Sequence, residues 1–168
     1  MDFKKFRNLK SPYILILVGP PLVGKTTFFN KFKQDIDDSA TLISRDAIVM
    51  EVAGTDNYNH AFNTVDQKEV NRQLDHRIET AIKNKQNVVV DMTNLTSKRR
   101  KSTLSYFTDD YTKIAVIFPM LTEEEFKARN KKRELEENKT IPENVIKNMI
   151  ASYQPISQSE GFDKVVSL

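Results

Sequence analysis

The chain has 168 residues, 39% hydrophobic and 29% charged, which fits one globular domain burying roughly 70% of its unfolded surface. With no cysteine and only two histidines, His60 and His76, it has no disulfides, thiolate nucleophiles or cysteine metal sites, and too few ligands for a histidine-rich metal centre. The net charge of +3 is compatible with a polyanionic partner without requiring one.

The first eleven residues read as a basic N-terminal extension without the apolar core of a signal peptide. No apolar run approaches the ~20 residues of a membrane span, so a cytosolic setting is expected, the host's cytosol for a viral chain. Tyr13–Val18 (YILILV) is an unbroken apolar run and predicts a strand buried on both faces of a parallel sheet. A helix is expected over 26–33, a short strand over Thr41–Ser44 and a helical turn over 47–52. Thr64 and Gln67 have capping-box spacing, which predicts a helix from 64 to about 85. Val88–Asp91 (VVVD) reads as the third strand, 97–107 as a basic helix and 114–118 as the fourth strand. Thr122 and Glu125 form a second capping box, opening a helix to about 134. Pro142 suits the first turn of a helix over 142–152, and 164–168 closes the chain as a fifth strand. Residues 54–59 and 136–141 read as the least ordered stretches. Alternating strands and helices predict a three-layer α/β domain over residues 1–168, a parallel sheet of about five strands with helices on both faces.

Gly19, Pro20, Pro21, Leu22, Val23, Gly24, Lys25 and Thr26 fit G-x-x-x-x-G-K-[ST], between a predicted strand and a predicted helix. Backbone N–H groups and a helix N-terminus, with Thr27 in its first turn, wrap the phosphates of ATP. Lys25 reaches the β- and γ-phosphates, and the Thr26 hydroxyl ligates Mg²⁺. The bland alternative is a Gly/Pro turn joining strand to helix.

Ligands of such sheets bind at the C-terminal ends of the strands. Arg45 and Asp46 follow the second strand; Asp91, Thr93 and Asn94 end the third. A kinase needs a carboxylate to accept the proton of the attacking hydroxyl, and Asp46 is the candidate; the alternative is a helix N-cap. Asp91 could orient the water shell of Mg²⁺ or the acceptor, or merely hold its turn. Arg129 and Arg133 share a helix face, from which they could neutralise the transferred phosphoryl group; taken alone they read more readily as a solvated face. The basic run Lys98-Arg99-Arg100-Lys101 could hold a phosphate-rich acceptor or be a solvated face too.

Together these residues resemble the kinase domain of the polynucleotide kinase/phosphatase family over most of the chain. The loop matches that family's G-P-P-x-x-G-K-T, Ser44-Arg45-Asp46 resembles its N-R-D element, and Asp91-Met92-Thr93-Asn94 its D-x-T-N element. Residues 129–133 (RNKKR) resemble its arginine lid, expected over about 123–141. Tyr153, Pro155 and Glu160-Gly161-Phe162-Asp163 resemble its closing segment. The resemblance implies Asp46 as general base, Lys25 and Arg133 as catalytic partners, Arg129 on ATP phosphates, and Arg45, Asp91, Thr93, Asn94, Arg99 and Arg100 on the acceptor side. The cofactors implied are ATP and Mg²⁺, and the substrate a 5′-hydroxyl end of DNA or RNA.

Leu22 and Val23 stand where the family usually carries a glycine and a small residue; a leucine is hard to place at positive φ, so an altered loop shape is expected. Val49 stands where some phage members carry an arginine. No D-x-D-G-T phosphatase signature occurs, so a stand-alone kinase is expected. Two other readings stay open: a P-loop kinase for another hydroxyl (a nucleoside, a small molecule or a hydroxymethylated base in DNA), and a nucleotide-driven switch with no acceptor.

Overall fold

The computed structural model describes residues 3–168. Five strands form one all-parallel sheet: β1 (Tyr13–Val18), β2 (Thr41–Ser44), β3 (Val88–Asp91), β4 (Thr112–Ile117) and β5 (Lys164–Ser167), in the order β2-β3-β1-β4-β5. All six residues of β1 are buried, because the strand lies centrally and carries a core on each face. Ile14, Ile16 and Val18 join one core with Ile43, Val88 and Val90; Leu15 and Leu17 join the other with Val89, Ile114 and Val116. This is the period-2 alternation of a strand with both faces covered.

Helix α1 (Lys25–Asp35) packs Phe28 and Phe32 on the second face. There they meet Phe3 and Phe6, from a short 3₁₀ turn over Phe3–Phe6. The basic extension is therefore docked from Phe3 onward, and Lys5 and Lys164 tie it to β5 through Lys5 Nζ to Ser167 O and Lys164 Nζ to Lys5 O. Its first two residues lie outside those described.

The first face is covered by α2 (Arg45–Ala53), α4 (Gln67–Lys83) and α5 (Ser97–Leu104). Between α2 and α4 the chain forms α3 (Tyr58–Thr64), a helix where the sequence reading expected the end of a loose stretch. Thr64 does not cap the following helix: it closes α3, its hydroxyl donating to His60 O. Asp66 caps α4 instead, its carboxylate accepting from Lys68 N. The Thr122–Glu125 capping box forms as expected at the head of α6 (Glu123–Glu137), which runs into the stretch read as least ordered. Pro142 precedes α7 (Glu143–Ala151) as its N-cap. No helix among the described residues is long and apolar enough to cross a membrane.

Candidate active site

The strand order reverses at β1, where ligands of open α/β sheets bind. The 19–26 loop leaves β1 there and runs into α1. Gly19 is fixed by space, since a Cβ on it would meet Phe118 Cβ at 3.0 Å and Val23 Cγ2 at 3.1 Å. Gly24 caps α1 at φ 97, a conformation that glycine adopts freely. Leu22 takes φ 69. The loop thus adopts a left-handed residue despite the leucine, at a cost of about 1–2 kcal/mol. Its carbonyl is held by Arg129 of α6, whose Nη1 donates to it across 2.9 Å.

Lys25 is almost completely buried and donates to two carbonyls of its own loop, Gly19 O at 3.0 Å and Pro20 O at 2.7 Å. Loss of hydration brings its ammonium down from 10.5 to about 8; the charge of Arg133 pushes the same way, and Asp91 and Asp46 oppose it. The Thr26 hydroxyl donates to Asp91 Oδ2 at 3.1 Å. Burial raises the pKa of Asp91, with Asp46 adding to the rise and Lys25, Thr26 and Arg133 opposing it. Lys25, Thr26, Asp46, Asp91 and Arg133 therefore share one electrostatic site at the ends of β1, β2 and β3, although they span 25 to 133 in the sequence.

Asp46 is exposed and is not a cap; Ser44 caps α2, its hydroxyl accepting from Ala47 N. Asp46 instead accepts the hydroxyl of Tyr58, from α3, on Oδ1 at 2.9 Å. Burial first, and the Asp46 charge next, keep the Tyr58 phenol protonated well above its ordinary range. Arg45 turns toward α4, where its guanidinium donates to Asn71 Oδ1 at 3.1 Å and Gln67 Oε1 at 2.5 Å. Burial and the nearby charge of Arg99 lower the Arg45 pKa. Half-buried Arg45 thus stands beside Asp46, and exposed Arg99 is near enough to Arg45 for the two charges to interact.

Two acceptor-side expectations are corrected. Arg100 is fully buried and forms an ion pair with Glu160 at 2.6 Å, while its other nitrogens donate to Asn94 O, Leu95 O and Gln154 O. Its guanidinium is spent on joining α5 to the β3–α5 loop and to the C-terminal segment, so it cannot reach an acceptor. Asn94 is also fully buried; its Nδ2 donates to Leu17 O at 2.8 Å. Thr93 O accepts from Gly19 N at 3.0 Å. The Thr93-Asn94 pair thus buttresses the phosphate loop from behind, leaving the Thr93 side chain, half-buried, as its only reach toward a ligand.

On the lid, Asn130 exchanges two hydrogen bonds with the backbone of Ile141, folding the α6–α7 connection back on α6. Lys139 from that connection lies 5.2 Å from the centroid of the Tyr58 ring. The lid therefore touches the loop through Arg129 and α3 through Lys139. Tyr58 and Asn71 carry none of the recognised motifs, and Gln67 entered only through its capping-box spacing with Thr64; the one sequence signal for Tyr58 was Asn57, the turn residue that caps α3.

The profile of a family described as an AAA domain matches residues 14–156. Among solved structures, a chain of the Pnkp1/Rnl/Hen1 RNA repair complex superposes with TM-score 0.67 at 22% identity, covering 95% of this chain and 52% of that one. This chain thus spans about half the length of that relative. Kti12 of Chaetomium thermophilum, solved with ADP-AlF3, gives 0.66 at 14% identity, covering 92% of this chain and 88% of its own. A gluconokinase from Sinorhizobium meliloti gives 0.56 at 10% identity, covering 95% and 83%. At these identities the superpositions speak for the fold, which is that of P-loop kinases. With the match running over residues 14–156, the chain belongs to this AAA-domain family.

Proposed function

We propose that the chain transfers the γ-phosphate of ATP to a hydroxyl, and that the acceptor is a 5′-hydroxyl end of DNA or RNA. The observation that carries this reading is the meeting of Asp46 with Lys25, Asp91 and Arg133 in one electrostatic site above the sheet. In this reading the phosphates lie in the 19–26 loop, whose Lys25 and helix N-terminus supply positive charge. The acceptor hydroxyl gives its proton to the Asp46 oxygen that Tyr58 does not occupy. Its oxygen forms a bond to the γ-phosphorus as the bond to the bridging oxygen breaks and ADP leaves. Lys25 and Arg133 neutralise the charge that spreads over the transferred group. Arg129 holds the loop in shape through Leu22 O.

Mg²⁺ fits this site. Thr26 Oγ1 and Asp91 Oδ2, 3.1 Å apart, offer a hydroxyl and one carboxylate, which suits an ion that keeps most of its waters and phosphate ligands. When bound it neutralises charge on the β- and γ-phosphates. The Gly19–Thr93 and Asn94–Leu17 contacts tie the end of β1, from which the Thr26 loop departs, to the segment that follows Asp91.

The nucleic-acid acceptor is supported by the motif resemblance, by Arg45 beside Asp46 with Arg99 near it, and by the RNA repair complex among the structural neighbours. The gluconokinase neighbour supports the second reading, a small hydroxyl acceptor. The test is transfer of labelled γ-phosphate from Mg·ATP to a 5′-hydroxyl oligonucleotide, beside an Asp46→Asn variant and a 5′-phosphorylated strand. Label on the 5′-hydroxyl strand alone, lost in the variant, is the expected result. Equal labelling of both strands would point to an internal hydroxyl, and labelling of neither to a small acceptor.

A further inference from the structure

The acceptor side carries an aromatic surface outside the recognised motifs. Tyr58 and Phe62 lie one turn apart on α3, their rings stacked with centroids 6.0 Å apart and planes at 30°. The chain has ten Phe and five Tyr, and Phe62 alone among them is exposed, with 51% of its surface open. Every other aromatic ring is at least half covered by the fold. The exposed ring is also not at a random place. Tyr58, against which it stacks, holds Asp46 Oδ1, so the aromatic pair runs outward from the candidate base.

Positive charge stands at the Tyr58 end of this pair, where the charge of Arg45 acts on Tyr58. Arg45 is fixed in place by Gln67 and Asn71 of α4, and it stands near enough to Arg99 for the two charges to interact. Arg99 is exposed, and the described hydrogen bond of its guanidinium is a weak one to Met92 Sδ at 3.7 Å. A carboxylate, an aromatic pair ending in an exposed ring, and a guanidinium beside the carboxylate with a second one near it match the three parts of a terminal nucleotide: its 5′-hydroxyl, its base and the phosphodiester that follows. A sugar acid or an aliphatic alcohol has no flat π-face and no following phosphodiester, and would leave the ring and the arginines without a role. Base–aromatic stacking is tolerant of base identity, because every base has a π-face.

Resting on the kinase reading above, we propose that Phe62 is the stacking seat for the first base of the acceptor strand, with Arg45 and Arg99 taking the phosphodiester that follows it. The seat makes the enzyme selective for a nucleotide bearing a base at the 5′ end and indifferent to which base it is.

Two measurements test this. The first is phosphate transfer to oligonucleotides whose 5′-terminal residue either bears a base or is abasic, with wild type, Phe62→Ala and Phe62→Trp. Wild type should favour the base-bearing end by about tenfold in kcat/KM. Phe62→Ala should lose that preference through the oligonucleotide KM, with the KM for ATP unchanged, and Phe62→Trp should restore it. The second is photocrosslinking of an oligonucleotide with 5-iodouracil as its first base, which needs binding but no transfer; the adduct should fall on Phe62. Transfer with no base preference, or a preference that survives in Phe62→Ala, overturns the seat and leaves the kinase reading standing. An adduct on Phe62 without transfer keeps the seat and sinks the kinase reading. An adduct elsewhere, or a dimer in solution that Phe62→Ala dissolves, overturns the seat.

Discussion

The Tyr58 hydroxyl donates to Asp46 Oδ1 across 2.9 Å, joining a helix that no motif marks to the carboxylate proposed as the base. Lys139 of the lid sits over the same ring, so Tyr58 stands between the lid and Asp46. Some phage members of the resembling family carry an arginine where this chain has Val49, which is buried in the core here. A neutral donor from α3 then orients the carboxylate where a charged one would otherwise be available. Tyr58→Phe keeps the ring and its contact with Lys139 and removes only the hydroxyl. A hydrogen bond to a charged group contributes about 1.5–3 kcal/mol, so kcat should fall about tenfold or more with the KM for ATP unchanged. An unchanged kcat would show that the contact holds α3 in place and nothing more.

The frame of the site was legible because it rests on local pattern. An unbroken apolar β1, a phosphate loop and a helix following it are each readable within a few residues, and all five strands fall where the apolar runs lie. What escaped depends on partners distant in the chain. The α3 sequence, YNHAFNT, buries only Ala61 and has no apolar period; it is a helix because Asn57 caps it and α2 and α4 flank it. Thr64 and Gln67 have the spacing of a capping box, yet Asp66 lies closer to the first free N–H groups and caps in their place. Arg100 looked like its basic neighbours because nothing near it reveals Glu160, sixty positions on.

Lys25 joins activity to stability. Its ammonium is buried, and desolvation places its pKa at about 8 in the folded chain against 10.5 for the ordinary group. Between those values the unfolded chain binds more protons, so this residue adds stability as pH rises from about 8 toward 10.5 and is a burden below 8. Lys25→Met should abolish phosphate transfer and leave the fold intact. The stability of wild type relative to Lys25→Met should move in favour of wild type by up to about 3 kcal/mol as pH rises from 7 to 10.5. Urea denaturation at the two pH values measures it. A difference that stays constant would mean that Lys25 is hydrated in solution.

Arg99 and Arg100 are adjacent in sequence and should behave as opposites. Arg100→Ala leaves the Glu160 carboxylate buried without its cation, at a cost of about 3–5 kcal/mol. The Arg100 hydrogen bonds hold the Glu160 pKa below its ordinary value, so the pair stabilises the fold above that value and is lost as pH falls through the lowered one. Arg99→Ala should change stability by less than about 0.5 kcal/mol and weaken oligonucleotide binding, most visibly at low salt. Denaturant midpoints and binding titrations on the two variants separate the roles. Equal stability of the two would return Arg100 to the surface.

The lid arginines should divide their work between binding and rate. Arg133 keeps only 20% of its side chain exposed and acts electrostatically on Lys25, Asp91 and Tyr58, while Lys132 beside it is 71% exposed and pairs with Glu136. Arg129 instead holds Leu22 O, at the strained position of the loop. On the proposed kinase reading, Arg133→Ala should therefore lower kcat by about a hundredfold, the effect of removing a charge that stabilises the transferred phosphoryl group. Arg129→Ala should mainly raise the KM for ATP, because it frees the loop and leaves the transition-state charges in place. Lys132→Ala should change neither. Steady-state kinetics on the three variants tests the division, and equal effects of Arg133→Ala and Lys132→Ala would reduce the helix to a solvated face.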